Sequence, residues 1–156
     1  MGLDMYLYRK YKNENYMDDV AYWRKANAIH RWFEAHITKD GKMENCGEYL
    51  VTKEDLEQLR ACCQYVLLNS NLVEKKVCVG DQLIDGELKP RYELEKVIED
   101  PTVAQNMLPT KSGFFFGGTD YDEWYISKLE STIEQIDRIL EDTDFEHEEL
   151  YYSAWW

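Results

Sequence analysis

The sequence lacks the features that mark several large classes of protein. No run approaches 18 consecutive apolar residues, so no membrane span is predicted. The N-terminal MGLDMYLYRK has no long apolar segment of the kind that a secretory signal requires. There is no C-x-x-C or H-x-x-x-H pair and no P-loop lysine. We therefore expect neither a metal site nor a cofactor.

Basic residues are scarce. The chain has 18 Lys and Arg against 31 Asp and Glu, a net charge of −13. This balance argues against direct binding to nucleic acid or to an anionic membrane, and it favours a basic protein partner. The four cysteines follow no secretory signal, which favours free thiols in a reducing cytoplasm.

The chain has enough apolar residues for a core. Hydrophobic residues make up 44% of its 156 residues, which predicts one domain over 1–156. Alternating apolar and polar residues over 2–9 and 149–156 predict two strands that are neighbours in one sheet. A short strand is expected over 48–51, and Phe114–Phe116 is expected as a buried strand or an apolar loop.

Two helices are predicted in the first half of the chain. One spans 18–37, where apolar residues recur every three or four positions and Asp18 or Asp19 serves as its cap. The other spans about 53–69, and the pattern of Thr52 and Asp55 is close to a capping box.

A third helix is expected from Thr119 to about residue 142. Thr119 is predicted as its N-cap, with Asp122 in the capping-box position. The Gly117-Gly118 turn before it is a common setting for anion binding, but the acids that follow would repel a phosphate.

Residues 70–100 form an excursion from this scaffold, either a β-hairpin that turns at Asp85-Gly86 or an irregular segment. A short helix is expected over about 92–99, and another follows Pro101. The predicted fold is α+β, with a small antiparallel or mixed sheet backed by about three main helices.

The acidic residues are concentrated late in the chain. Residues 119–149 contain twelve acids and two bases, and so carry −10 of the net −13. Such a surface either keeps the protein soluble or binds a basic partner. The candidate binding residues are Asp120, Asp122, Glu123, Glu130, Glu134, Asp137 and Glu141.

A second candidate site takes a small molecule. In this hypothesis the first helix supplies Asn27 and His30 with Arg24 or Lys25, a loop supplies a thiol, and an aromatic ring stacks on a base. A Cys, a His and an Asn are also the components of a thiol hydrolase. The candidate residues of this pocket are Asn27, His30, Asn45, Cys46, Thr110, Thr119 and Tyr121.

Four segments carry a resemblance: MGLDMYLY, YWRKANAIHRWF, NCGEY and LPTKSGFFFGGTDYDEWY. They resemble a family of small uncharacterised bacteriophage and prophage proteins, over most of the chain apart from 70–100. The resemblance implies a bacterial cytoplasm and supplies no catalytic residues.

Three functions follow as hypotheses, and a binding protein is favoured over an enzyme. The first is an acidic, host-directed inhibitor of a defence or nucleic-acid-binding protein. The second is a protein that sequesters a small molecule such as a nucleotide, or a Cys/His hydrolase. The third is an accessory structural protein of a phage. The oligomeric state stays open.

Overall fold

A computed structural model describes residues 2–156 and has an α+β fold, as predicted. Six strands and four helices are present in this described part of the chain. In chain order they are β1 (Asp4–Tyr11), β2 (Asp18–Arg24), α1 (Asn27–Ile37), β3 (Tyr49–Val51), α2 (Lys53–Leu68), β4 (Leu72–Ile84), β5 (Glu87–Ile98), α3 (Thr102–Met107), α4 (Glu123–Asp142) and β6 (Glu148–Trp155).

The main sheet is antiparallel, with the strand order β2-β1-β6-β3. The prediction that the first and last strands are neighbours is confirmed, since β1 pairs with β6 from Asp4↔Trp155 to Tyr11↔Glu148. Alternation along β1, which continues from Leu3 just before the strand, directs Leu3, Met5 and Leu7 into the core, where each is fully buried.

Helices cover the buried face of this sheet. Phe33 of α1 stacks on Tyr152 of β6, with ring centroids 4.2 Å apart. Trp23 of β2 donates a hydrogen bond from Nε1 to Thr132 Oγ1 of α4 at 2.9 Å. The core therefore joins α1 to β6 and α4 to β2, and α2 packs against α4.

The predicted helix over 18–37 is wrong in its first half. Residues 18–24 form β2, in which Ala21 and Trp23 are buried and Tyr22 lies on the outer face, its ring 5.1 Å from that of Tyr6. Asp18 and Asp19 are exposed strand residues and cap nothing. Val, Tyr and Trp favour strands, and pairing with β1 overrides a spacing that happened to suit a helix.

The predicted strand over Phe114–Phe116 is also wrong. The segment is a turn in which Phe116 is buried, whereas Phe114 is 81% exposed and Phe115 has φ +62°. The alternative interpretation as an apolar loop holds.

Thr119 is not the cap of the last long helix. Asp122 caps α4, because its Oδ1 accepts a hydrogen bond from Tyr125 N at 3.1 Å. The segment before it is held extended, since Ile98 N donates to Tyr121 O at 2.9 Å. The helix therefore begins three residues later than predicted.

Other local predictions are confirmed. Thr52 and Asp55 form a full capping box at the start of α2. Residues 72–98 form a hairpin that turns at Asp85 and Gly86, both with positive φ as a type I′ turn requires. The short helix expected over about 92–99 is wrong, because those residues pair with β4 as part of β5.

Candidate functional site

A cavity of about 330 Å³ opens where the start of α1, a glycine turn and the start of α4 meet. This volume lies in the range of small-molecule pockets. It is lined by Arg24, Lys25, Ala26, Asn27, Ala28, Ile29, Thr110, Gly117, Gly118, Asp120, Asp122, Trp124, Tyr125, Lys128 and Leu129.

The N-terminus of α1 forms one wall of the cavity. No side chain caps this end, where Ala26 is the N-cap residue. The first N–H groups of a helix have no partner within the helix, and its dipole adds positive potential there. Lys25 lies between β2 and α1 and has a left-handed backbone, with φ +55°. Its N–H donates a hydrogen bond to Leu3 O at 2.7 Å. An uncapped helix end bordering a cavity suits an anion.

Asn27 clamps the opposite wall onto α1. Its Nδ2 donates to Phe116 O at 3.1 Å and to Gly118 O at 2.8 Å. Its Oδ1 accepts a hydrogen bond from Lys111 N at 3.0 Å. The side chain is thus fully occupied, so Asn27 positions the glycine turn and does not offer its amide to a ligand.

The two glycines of the turn differ in their surroundings. Gly117 has φ +89°, and a Cβ there would lie 2.9 Å from Lys25 Cβ, so the close approach requires glycine. A Cβ on Gly118 would meet no heavy atom within 4 Å. Gly118 therefore borders open space, and the fold does not need a glycine at that position for steric reasons.

Positive charge predominates in the lining. Arg24, Lys25 and Lys128 face two acids, Asp120 and Asp122. The Asp122 carboxylate is engaged in capping α4, and Arg24 makes a long ion pair, 3.5 Å from Nη1 to Asp4 Oδ1, with both side chains partly exposed. The lining therefore has a net formal charge of +1, in a protein whose net charge is −13.

Aromatic and apolar groups complete the cavity. Trp124 stands at the rim with 70% of its surface exposed. Tyr125 is buried, its hydroxyl donates to Leu108 O at 2.8 Å, and burial raises the pKa of its phenol. Tyr125 therefore shapes the cavity and does not act as an acid or base. Trp124 offers an exposed ring on which a planar ligand can stack.

His30, a candidate of the sequence-predicted pocket, lies in the core. It is fully buried, and its Nδ1 lies 2.7 Å from Tyr152 Oη. The rings of Phe116 and Trp156 surround it, and burial lowers the pKa of the imidazole to about 4. His30 Nδ1 and the Tyr152 hydroxyl thus share one buried hydrogen bond, and His30 Nε2 is buried without a hydrogen-bond partner.

Asn45 and Cys46 lie elsewhere. Asn45 bonds both the N–H and the C=O of Trp156, at 3.0 and 2.9 Å, and so fixes the end of β6. The Cys46 thiol is exposed and contacts Asn45 Oδ1 at 3.7 Å. Within residues 2–156 no hydrogen bond joins Cys46 to His30, so the thiol–imidazole pair of a hydrolase is not formed.

The remaining three predicted residues meet at the cavity. Thr110 lines it, and its hydroxyl donates to Thr119 O at 3.0 Å. Thr110 N donates to Tyr121 Oη at 3.1 Å. Of the seven pocket candidates, Asn27 and Thr110 therefore line the cavity, and Thr119 and Tyr121 hold Thr110 in place.

The predicted acidic residues divide into separate groups. Asp122 caps α4, Asp120 lines the cavity, and Asp137 pairs with Arg60 of α2, whose hydrogen bond lowers the pKa of that carboxyl. Four others lie exposed on the face of α4 that points away from the core. We call these the acidic stripe: Glu123, Glu130, Glu134 and Glu141.

A further acidic cluster follows α4. Asp144, Glu146 and His147 each offer one ligand atom, and these atoms lie within 4.8 Å of one another. All three side chains are exposed, and His147 Nδ1 already contacts Asp144 Oδ2 at 2.8 Å. This contact is a local hydrogen bond, and it lowers the pKa of the Asp144 carboxyl.

No family model, curated protein or solved structure matches the chain. Among the helices of the described residues, none combines the length and the apolar character needed to cross a bilayer. The site must therefore be interpreted from its own residues.

Sequence reasoning missed several residues of the cavity, chiefly Ala28, Trp124 and Lys128. Lys128 is one of only two bases in the segment 119–149, and this rarity could have marked it as a candidate site residue. The uncapped helix start was hidden, because residues 18–37 were interpreted as one helix.

Proposed function

We propose that the protein binds and sequesters a small phosphate-bearing ligand with a planar ring, of the size of a nucleotide. The observation that carries this proposal is the uncapped start of α1 in a cavity with Arg24, Lys25 and Lys128. Anionic groups are stabilised at such a helix end, and the cations add to this attraction.

The two ends of the ligand are assigned by chemistry. The phosphate lies at the N–H groups of Ala28 and Ile29, between Lys25 and Lys128. The ring stacks on Trp124, which is exposed at the rim. Base–aromatic stacking contributes roughly 1–3 kcal/mol and tolerates different bases, so we expect selectivity for phosphate over base identity.

The side chains that line the cavity favour ligand binding over catalysis. Among the lining residues within 2–156, none is a histidine or a cysteine. The Thr110 hydroxyl is committed to Thr119 O, and the Asp122 carboxylate to the cap of α4. The lining therefore offers no paired nucleophile and base.

Isothermal titration calorimetry tests the proposal with adenosine, AMP and ATP. We expect AMP and ATP to bind one to one and adenosine to bind at least tenfold more weakly. Lys25→Glu should weaken AMP binding at least tenfold, since a charged hydrogen bond contributes about 1.5–3 kcal/mol. Lys39→Glu is the control, because it makes the same charge change at an exposed residue outside the cavity. Equal affinity of the two variants for AMP, or no binding by the unmodified protein, would contradict the proposal.

A second function, docking of a basic protein such as a host defence or nucleic-acid-binding protein, stays a prediction. The observation that favours it is the acidic stripe, whose four side chains share one exposed face of α4. Reversing Glu130, Glu134 and Glu141 to Lys should abolish salt-sensitive capture of a basic partner. Unchanged capture would exclude the stripe as the docking surface.

A further inference from the structure

The hairpin of β4 and β5 projects from the rest of the molecule and is held only at its root. Ile98 N donates to Tyr121 O at 2.9 Å, and Val97 forms an isolated bridge with Asp122. Beyond this root, every residue from 80 to 94 is exposed. A two-stranded hairpin without further support is marginally stable in water, so an extended one benefits from a covering surface.

The register of the hairpin separates its residues into two faces. Paired residues share a face, and successive pairs alternate between the two faces. The bulge between Cys78 and Gly80 adds one residue to β4, so the face that carries Cys78 continues at Asp81 and Leu83. One face, which we call the apolar face, carries Cys78, Leu83, Leu88, Pro90, Tyr92 and Leu94. The opposite face carries mainly charged and polar residues, among them Lys75, Gln82, Glu87, Lys89, Arg91, Glu93 and Glu95.

The apolar face is unusually open to solvent. Leu83, Leu88 and Leu94 are 71%, 74% and 71% exposed, and Tyr92 is 50% exposed. Contiguous exposed apolar side chains rimmed by charges are typical of interfaces between proteins. None of these residues belongs to the hydrophobic core of the domain. Their apolar side chains therefore do not stabilise the main sheet and its helices.

The charges of the hairpin indicate which kind of partner can bind the apolar face. The hairpin, residues 72–98, has six acids and five bases, whereas the whole chain has a net charge of −13. The charged residues on the apolar face are Glu74, Lys76, Asp81 and Lys96, two of each sign. A basic or an acidic partner would be repelled by half of them. A second copy that lies in the opposite direction brings the Asp81 end of one hairpin to the Lys76 end of the other.

We propose that the apolar face is a homodimer interface, in which two hairpins pack face to face about a twofold axis. A twofold contact requires a self-complementary surface. Placing the root of one hairpin against the tip of the other sets Leu83 and Leu88 of one copy on Leu94 of the other. Tyr92 and Pro90 then meet near the axis, and the acidic bodies lie at opposite ends of the contact.

Sedimentation equilibrium of the full chain tests this proposal. We expect a dimer that Leu88→Glu with Leu94→Glu weakens at least about a hundredfold, because four carboxylates replace the leucines of the contact and only the two Lys76 side chains lie directly across the hairpin from them. The control is Ile84→Glu, since Ile84 lies at the same tip on the opposite face and should leave the dimer unchanged. A monomer at all concentrations, or equal weakening by Ile84→Glu, would overturn the proposal.

Cross-linking gives a second readout that does not depend on stability. Cys78 is exposed on the apolar face, one pair from the proposed axis. In a Cys46→Ser background, which removes the other exposed thiol, a short bismaleimide should link two copies through Cys78 and should not link them when Cys78→Ser is added. Linkage that persists in Cys78→Ser, or in the Leu88→Glu Leu94→Glu variant, would contradict the face-to-face arrangement.

Discussion

Helix α4 borders two surfaces of opposite character. On one side its first turns complete the cavity, whose lining has a net formal charge of +1 and whose walls are held by Asn27, Gly117 and the Asp122 cap. On the other side lies the acidic stripe, which includes Glu130 and Glu134 and consists of exposed side chains. Charge alone therefore does not make a site. A small ligand requires groups that are already fixed, whereas exposed charges contribute little individually.

The largest effect on stability is expected at the clamp between α1 and the glycine turn. Asn27→Ala removes three hydrogen bonds and leaves the buried Phe116 carbonyl without its partner. We expect the free energy of unfolding to fall by about 3 kcal/mol, measured by urea denaturation. Glu130→Ala on the acidic stripe is the comparison and should change it by less than about 0.5 kcal/mol. Similar losses in both variants would remove the distinction between the two surfaces.

A pH effect is expected from the core beneath the cavity. The pKa of His30 is about 4 in the folded protein and about 6.5 when it is unfolded. Between these values the unfolded chain binds more protons, so its stabilisation is complete above pH 6.5 and is lost as the pH falls toward 4. We expect a loss of about 2 kcal/mol between pH 7.5 and pH 5.

His30→Gln keeps a hydrogen-bonding side chain and removes this titration. Urea denaturation at both pH values should therefore show a smaller loss in this variant than in the unmodified protein. An identical loss would mean that His30 is not the buried neutral group described above.

The glycine turn gives a matched pair of smaller effects. Gly117→Ala forces a side chain into a left-handed backbone and against Lys25, so we expect a loss of about 1–2 kcal/mol in unfolding free energy. Gly118→Ala meets no atom and should change stability by less than about 0.5 kcal/mol. Thermal and urea denaturation distinguish the two, and equal losses would show that the turn is not held against Lys25.

The smallest effect is expected on the acidic stripe itself. Glu130 and Glu134 are like charges four residues apart on one helix. Changing Glu130 to Gln should raise the unfolding free energy by a few tenths of a kcal/mol at low salt, because Glu134 is its only charged neighbour three or four residues away, and this gain should vanish in high salt. A measurable loss would indicate that the stripe has partners within the fold.

Much of the fold was predictable from local patterns. The alternation of Leu3, Met5 and Leu7, the capping box at Thr52 and the turn at Asp85-Gly86 each specify structure within a few residues. The start of α1 was not predictable in this way, because the switch from strand to helix at Lys25 depends on pairing with β1.

The cavity was less predictable than the fold. Its walls come from residues far apart in the chain, and the hydrogen bond from Asn27 to Gly118 spans 91 residues. Sequence reasoning placed Asn27 and Thr110 near a pocket and also included His30, since periodicity cannot distinguish a buried histidine from one that faces a cavity. Lys128 was counted among the charges of an acidic helix, and only the structure shows that it lines the same cavity as Lys25.

The most direct test of the central claim is a two-dimensional ¹H–¹⁵N NMR titration of the ¹⁵N-labelled chain with AMP. We expect saturable shifts of the Ala28, Ile29 and Gly118 amides and of the Trp124 indole N–H, with the hairpin amides of residues 80–94 unchanged. The absence of shifts at the start of α1, or shifts confined to the hairpin or the acidic stripe, would contradict it.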